Sequence, residues 1–217
     1  AGFRPGATKV TGTGSGNDYW VMLDAGAHAM LDFTDAGLAS TFQTPIPLLE
    51  DAMTQLVSHL TIAGCGINLV EIADGVFQQE NRHLLVSPVV HQLIDRVVFA
   101  ASDAMGAAQG VRSLTEAGFE VVAVSGLLTK SPLAAREARD ALELPVLGLD
   151  DLIDPSIVGP LLGIDVPPAI PQPPVRLAWP IVVPGLDTPA PVEVVDDDEL
   201  GASFVGSHEL ATLGGAR

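Results

Sequence analysis

One cysteine, Cys65, stands in 217 residues, so the chain can build neither an intrachain disulfide nor a cysteine-based metal site. Cys65 is expected to be a small core residue in a reducing compartment. Cations are almost as scarce. Ten Lys plus Arg face 27 Asp plus Glu, for a net charge of -17, and only Lys9 and Lys130 are lysines. Such a surface repels phosphate backbones, which argues against a nucleic-acid partner. No apolar run approaches the roughly 20 residues of a membrane helix, and AGFRPGATKV lacks the apolar core of a signal peptide, so no membrane partner is expected. The chain reads as soluble and cytoplasmic, without internal repeats. Hydrophobic residues, by contrast, reach 47% against 17% charged, enough to fold most of the length.

Proline divides the sequence. Eleven of the 17 prolines fall between Pro155 and Pro191, where they remove backbone donors and block helix interiors. The expected domains are therefore 1–154 and a Pro-rich, acidic extension, 155–217. Ile164, Val175, Leu177, Trp179 and Ile181 are apolar enough to pack on the body, and a mobile tail is the open alternative. The run Asp196 to Glu199 reads as a solvated stretch.

Before residue 155 the pattern alternates. The β-branched runs ATKVT, INLVE, RVVFAA and EVVAVS are each followed by small or polar residues and then by helix-like segments. This predicts βαβ units: an α/β fold with a mostly parallel sheet and helices on both faces. Leu49, Met53, Leu56, Val57 and Leu60 form one stripe of a helix from Pro45 to Ala63, broken by Gly64 and Gly66. A second helix is expected from Asp103 to Ala117, ending at Gly118. A third, Ser131 to Leu142, starts with a Ser cap and a first-turn proline.

Sheets of this kind hold ligands beyond the carboxyl ends of their strands, so the residues just after each apolar run carry the functional expectations. Lys9 is followed by TGTGSGND, in which Gly12, Gly14 and Gly16 allow close backbone approach to an anion while Thr11 and Thr13 offer hydroxyls. A flexible connection is the plainer reading. In LDFTDAG, Asp32 and Asp35 suit a magnesium ion, or a turn capped by Asp35. INLVEIADG ends an apolar strand in Glu71, then Asp74 and Gly75, an acidic strand end able to hold magnesium or orient a water, or else to cap a helix. Asp103 reads as the cap of its own helix. Asp24 and His28, four apart, are read as a surface pair on a shared helix face. The loop Thr129, Lys130, Ser131, Pro132 is placed to meet a nucleotide base, although no aspartate stands where a guanine-reading motif needs one. His59, His83, His91 and His208 read as structural or surface histidines.

With those residues in view, the chain resembles a P-loop NTPase fold of the branch that contains dethiobiotin synthetase and the molybdopterin-guanine-dinucleotide adaptor protein. KVTGTGSGNDYWVMLDAGAHAMLDFTDAG, LVEIADG and VSGLLTKSPLAAREA more closely resemble a mainly uncharacterised family, some members of which are described as D-glutamate N-acetyltransferases. The resemblance covers about residues 1–150. It implies ATP and Mg2+ as cofactors, Lys9, Thr11, Thr13 and Gly14 on phosphates or a small anionic substrate, and Glu71 on magnesium, with Asp32 or Asp35 beside it. It also implies Lys9 and Glu71 as the catalytic residues. One departure is large: GxxxxGK[ST] is absent. The chain therefore reads as starting one βα unit late, with a gap in the sheet interior, exposed apolar surface, weak ATP binding and a tendency towards a homo-oligomer. Two other function classes stay open: a non-catalytic nucleotide- or metabolite-binding module, and acyl transfer to an amino acid such as D-glutamate, for which no Cys-His or Ser-His-Asp arrangement is found.

Overall fold

A computed structural model describes residues 3–164, apart from residue 15. Five strands, β1 (Pro5–Thr11), β2 (Ala29–Asp32), β3 (Ile67–Ile72), β4 (Val97–Ala100) and β5 (Val121–Ser125), alternate with helices. These are α1 (Gly16–Asp24), α2 (Ile46–Ile62), α3 (Gln79–Leu84), α4 (Pro88–Leu93), α5 (Ala104–Glu116), α6 (Pro132–Ala141), α7 (Leu149–Leu152) and α8 (Pro155–Leu161). Every strand pairing is parallel, as helical crossovers require.

Several helices begin where a side chain satisfies a free backbone group. The Asp103 carboxylate accepts from the Gly106 N–H at 2.7 Å and starts α5, while Ser131 accepts from Ala134 at 3.3 Å and Pro132 opens α6. Gly64 and Gly118, both at positive φ, end the chain's runs after α2 and α5. α8 opens likewise on Pro155, capped by Asp154, inside the segment that the proline content assigns to the extension. Val175, Leu177, Trp179, Ile181, Asp196 to Glu199 and His208 lie outside the described residues.

The sequence leads to one sheet with a gap in its interior, and the strands fall into two sheets. β2-β1-β3 form one and β4-β5 the other, and β3 does not pair with β4. Among the described residues, each of these two strands has a neighbour on one side only. Leu69 of β3 stays 59% exposed and Val98 of β4 44% exposed, whereas all five residues of β5 are buried.

One core nevertheless spans both sheets. Leu49 and Met53 of α2, Leu84 of α3, Val90 of α4 and Leu114 of α5 bury themselves with Val10 and Val121, and Val70, Ile72, Val97 and Phe99 pack on them. Cutting such a side chain to alanine costs about 2–5 kcal/mol. A second cluster is made of small residues, Ala104 and Ala107 of α5 with Ala135 and Ala138 of α6, around Val124, Leu128 and Val146. Small side chains let helix and strand approach closely. At Gly110 an added Cβ would stand 2.1 Å from the Phe99 ring.

Candidate functional site

Successive residues of a strand leave it on opposite faces, so β1 serves two purposes at its carboxyl end. Val10 enters the core beside α2, and Lys9 pairs with Asp18 of α1. In register, Lys9 stands between Asp32 of β2 and Glu71 of β3. The three strands thus set an acid, a lysine and an acid in one row.

Lys9 is only 7% exposed. A buried ammonium needs partners, and its Nζ donates to Asp18 Oδ2. Burial pulls the Lys9 pKa down, but the Asp18 bond and the charges of Glu71, Asp18 and Asp74 outweigh it and hold the pKa above the ordinary lysine value. For Glu71, burial pushes the carboxyl up, Lys9 draws it back, and Asp18 and Asp74 push it up again; the net direction is upward. Three carboxylates, Glu71, Asp18 and Asp74, thus act on one cation.

Beside it opens a cavity of about 570 Å³, lined by residues 11–14, 39–43, 74 and 78–81. Buried polar side chains tie its three walls together. Thr11 Oγ1 donates to the Ala73 carbonyl, which joins the ends of β1 and β3. Thr41 Oγ1 accepts from the Gly12 N–H at 3.0 Å and fixes the glycine loop, where Gly12 sits at φ 107°. Glu80 accepts from the Gln43 N–H. Asn81 Nδ2 donates to Ala73 O at 2.8 Å and to Gly75 O at 3.0 Å, bracketing Asp74. The glycine loop then runs into α1, which buries none of its side chains.

The structure gathers some of the expected site residues and separates others. Thr11, Thr13 and Gly14 line the cavity; Lys9 and Glu71 are paired in register on β1 and β3 and are not among the lining residues. Asp32 and Asp35 are engaged in their own turn: Asp32 Oδ1 accepts from the Thr34 N–H at 2.8 Å, and Asp35 Oδ2 accepts from the Asp32 N–H at 2.9 Å. Short-range turn bonds hold those carboxylates. Thr129, Lys130, Ser131 and Pro132 follow β5 and contribute nothing to the cavity lining; Thr129 donates to Gly126 O, and Ser131 caps α6. Asp24 ends α1 and Gly26 follows at φ 101°, so His28 shares no helix face with it. His59 and His83 bond carbonyls one turn back, and His91 stacks on Phe119 at 4.2 Å.

Thr41, Gln43, Glu80 and Asn81 are the site residues that the sequence did not single out. The one available signal was their polarity beside apolar runs. No group of three or more His, Cys, Asp or Glu placed to hold a metal occurs among the described residues. Magnesium needs no such group where phosphates complete its shell, since one or two carboxylates suffice. No family model, curated protein or solved structure matches this chain.

Proposed function

We propose that this chain is the phosphate-handling part of an ATP- and magnesium-dependent enzyme with a P-loop-like α/β domain. The observation that carries the reading is the placement of buried Lys9 beside Glu71 at the carboxyl edge of parallel strands, next to a glycine loop that opens a helix. Lys9 would meet phosphate oxygens, and the Gly12 to Gly14 backbone with the Thr13 hydroxyl would lie along them. Thr11 holds the strand end in place. Glu71, with Asp74, would hold the metal, which when bound neutralises phosphate charge. Burial raises the Glu71 carboxyl above the ordinary glutamate value, so it holds a proton more readily than an exposed glutamate does. No Lys, Arg or His lines the cavity itself, so Lys9 is the cation offered to the nucleotide's phosphates.

Calorimetry with ATP, with and without magnesium, on the wild type, Lys9→Met and Glu71→Gln tests this. The expected result is weak binding that requires magnesium and is lost in both variants. Binding that ignores magnesium, or persists unchanged in both, overturns the assignment. The Lys9–Asp18 pair favours a second reading, a binding module without chemistry, because the cation is already partnered. Magnesium-dependent binding without any ATP turnover selects it.

A further inference from the structure

The cation offered to phosphates already carries an anion of its own. The Lys9 side chain is 8% exposed and its Asp18 partner 36%, so the carboxylate is the water-facing member of the pair. Elsewhere the lysine is enclosed. Glu71 stands beside it on β3, and the glycine loop crosses its stem so closely that a Cβ at Gly12 would lie 3.2 Å from Lys9 Cε. An oxygen arriving from water therefore finds the open side of the ammonium occupied by Asp18. The helix that brings Asp18 there is lightly held. α1 buries none of its side chains, and among the described residues the bond to Lys9 is the one side-chain hydrogen bond between α1 and the rest of the domain. Gly12 before the helix and Gly26 after it are both at positive φ, and among the described residues nothing lies within 4 Å of a Cβ added at Gly26, so both ends have room to pivot.

We infer that Asp18 is an internal competitor for the phosphate position: it latches α1 to Lys9, and a phosphate oxygen binds Lys9 by displacing the carboxylate and releasing the helix. This rests on the proposed function and names the regulation of that same site. The charges of Glu71, Asp18 and Asp74 all act on Lys9, so a polyanion that reached the ammonium with Asp18 in place would meet three like charges around one cation. Release of α1 carries one of the three away, and magnesium offsets those that stay. The latch also sets the affinity. A ligand that binds only the released form is weakened by the fraction of molecules in which the latch is closed, and whatever loosens α1 strengthens binding without touching the ligand.

The test compares the wild type with Asp18→Asn, using inorganic tripolyphosphate with magnesium as the probe. Calorimetry should show the variant binding about tenfold tighter or more, the gain from removing a competing charge-assisted bond. Asp18→Glu, which keeps the acid on a longer arm, should return the affinity towards the wild-type value. Loss of a negative charge alone would also favour an anion, so a second readout separates displacement from simple repulsion. In the wild type, saturating tripolyphosphate should speed amide hydrogen exchange in α1 several-fold and leave α5 unchanged, because the ligand releases that helix only. If Asp18→Asn fails to fold, this exchange measurement decides alone. Equal binding by wild type and variant, or slower exchange in α1 when the ligand is bound, overturns the inference and leaves the assignment of Lys9 to phosphates standing. Binding by neither protein removes that assignment and the latch with it.

Discussion

Replacing Lys9 with methionine isolates the electrostatic part of what holds the candidate site together. Methionine keeps most of the apolar stem, so packing in β1 changes little, and the ammonium alone is removed. The lysine side chain is 8% exposed and its Asp18 partner 36%. Removing one partner of a fully buried pair costs about 3–5 kcal/mol. The openness of Asp18 and Asp74 to water places this case near the lower end, about 3 kcal/mol. For a protein of this size that lowers Tm by about 6–12 °C. The deficit must also depend on pH. Without Lys9, Glu71 faces Asp18 and Asp74 with no cation between them, so the variant should regain ground on the wild type as pH falls from 7 towards 4 and the raised Glu71 carboxyl takes up its proton. On the alkaline side, the wild-type lysine, raised in the folded state, contributes fully below its ordinary value of 10.5 and loses that contribution only above it; the variant has no such loss. Thermal unfolding followed by circular dichroism at several pH values reads both effects. An unchanged Tm at pH 7, or a deficit that stays constant down to pH 4, would refute the reasoning.

Glu71→Gln acts in the opposite sense: because the folded state raises this carboxyl, its ionisation opposes folding. The variant should be more stable than the wild type at pH 7 and match it well below 4.5, as denaturant titrations at the two pH values will show. Gly126→Ala should destabilise by about 2 kcal/mol or more. Its φ is 100° and an added Cβ would stand 2.7 Å from the Ala101 backbone, so neither strain nor contact can relax cheaply; a midpoint shift under 0.5 kcal/mol counts against this. Asp103→Ala should cost about 1 kcal/mol through the lost cap of α5, with no change in any ligand binding at Lys9.

Much of the fold was legible because its signals are local. The Leu49, Met53, Leu56, Leu60 stripe, the Asp103 and Ser131 caps and the β-branched runs each sit within one window of sequence, and α2, α5, α6, β1, β3, β4 and β5 follow them. α1 was not legible, since it opens on glycine and buries no side chain, which leaves no apolar stripe to read. β2 is four residues long and merges with the turn at Asp32. Lys9 and Glu71 were legible as strand ends. Their neighbours were not: Thr41 meets Gly12 across 29 residues and Glu80 meets Gln43 across 37, distances over which only the folded chain brings side chains together. Asp32 and Asp35 show the converse, two acids whose spacing suits a cation and whose nearest backbone amides claim them first.

The division of the strands into two sheets has a signature in hydrogen exchange. β1 lies between two strands, and β5 is joined on its far side by bonds from Val124 N–H to Pro145 O and from Leu147 N–H to Val124 O. β3 and β4 each have one row of backbone groups without a strand opposite among the described residues. Along a strand, successive N–H groups point to alternate sides, so β3 should show protection and rapid exchange in turn, residue by residue, where β1 is protected throughout. Open rows of this kind are also templates for another strand, and a net charge of -17 opposes the approach of a second copy.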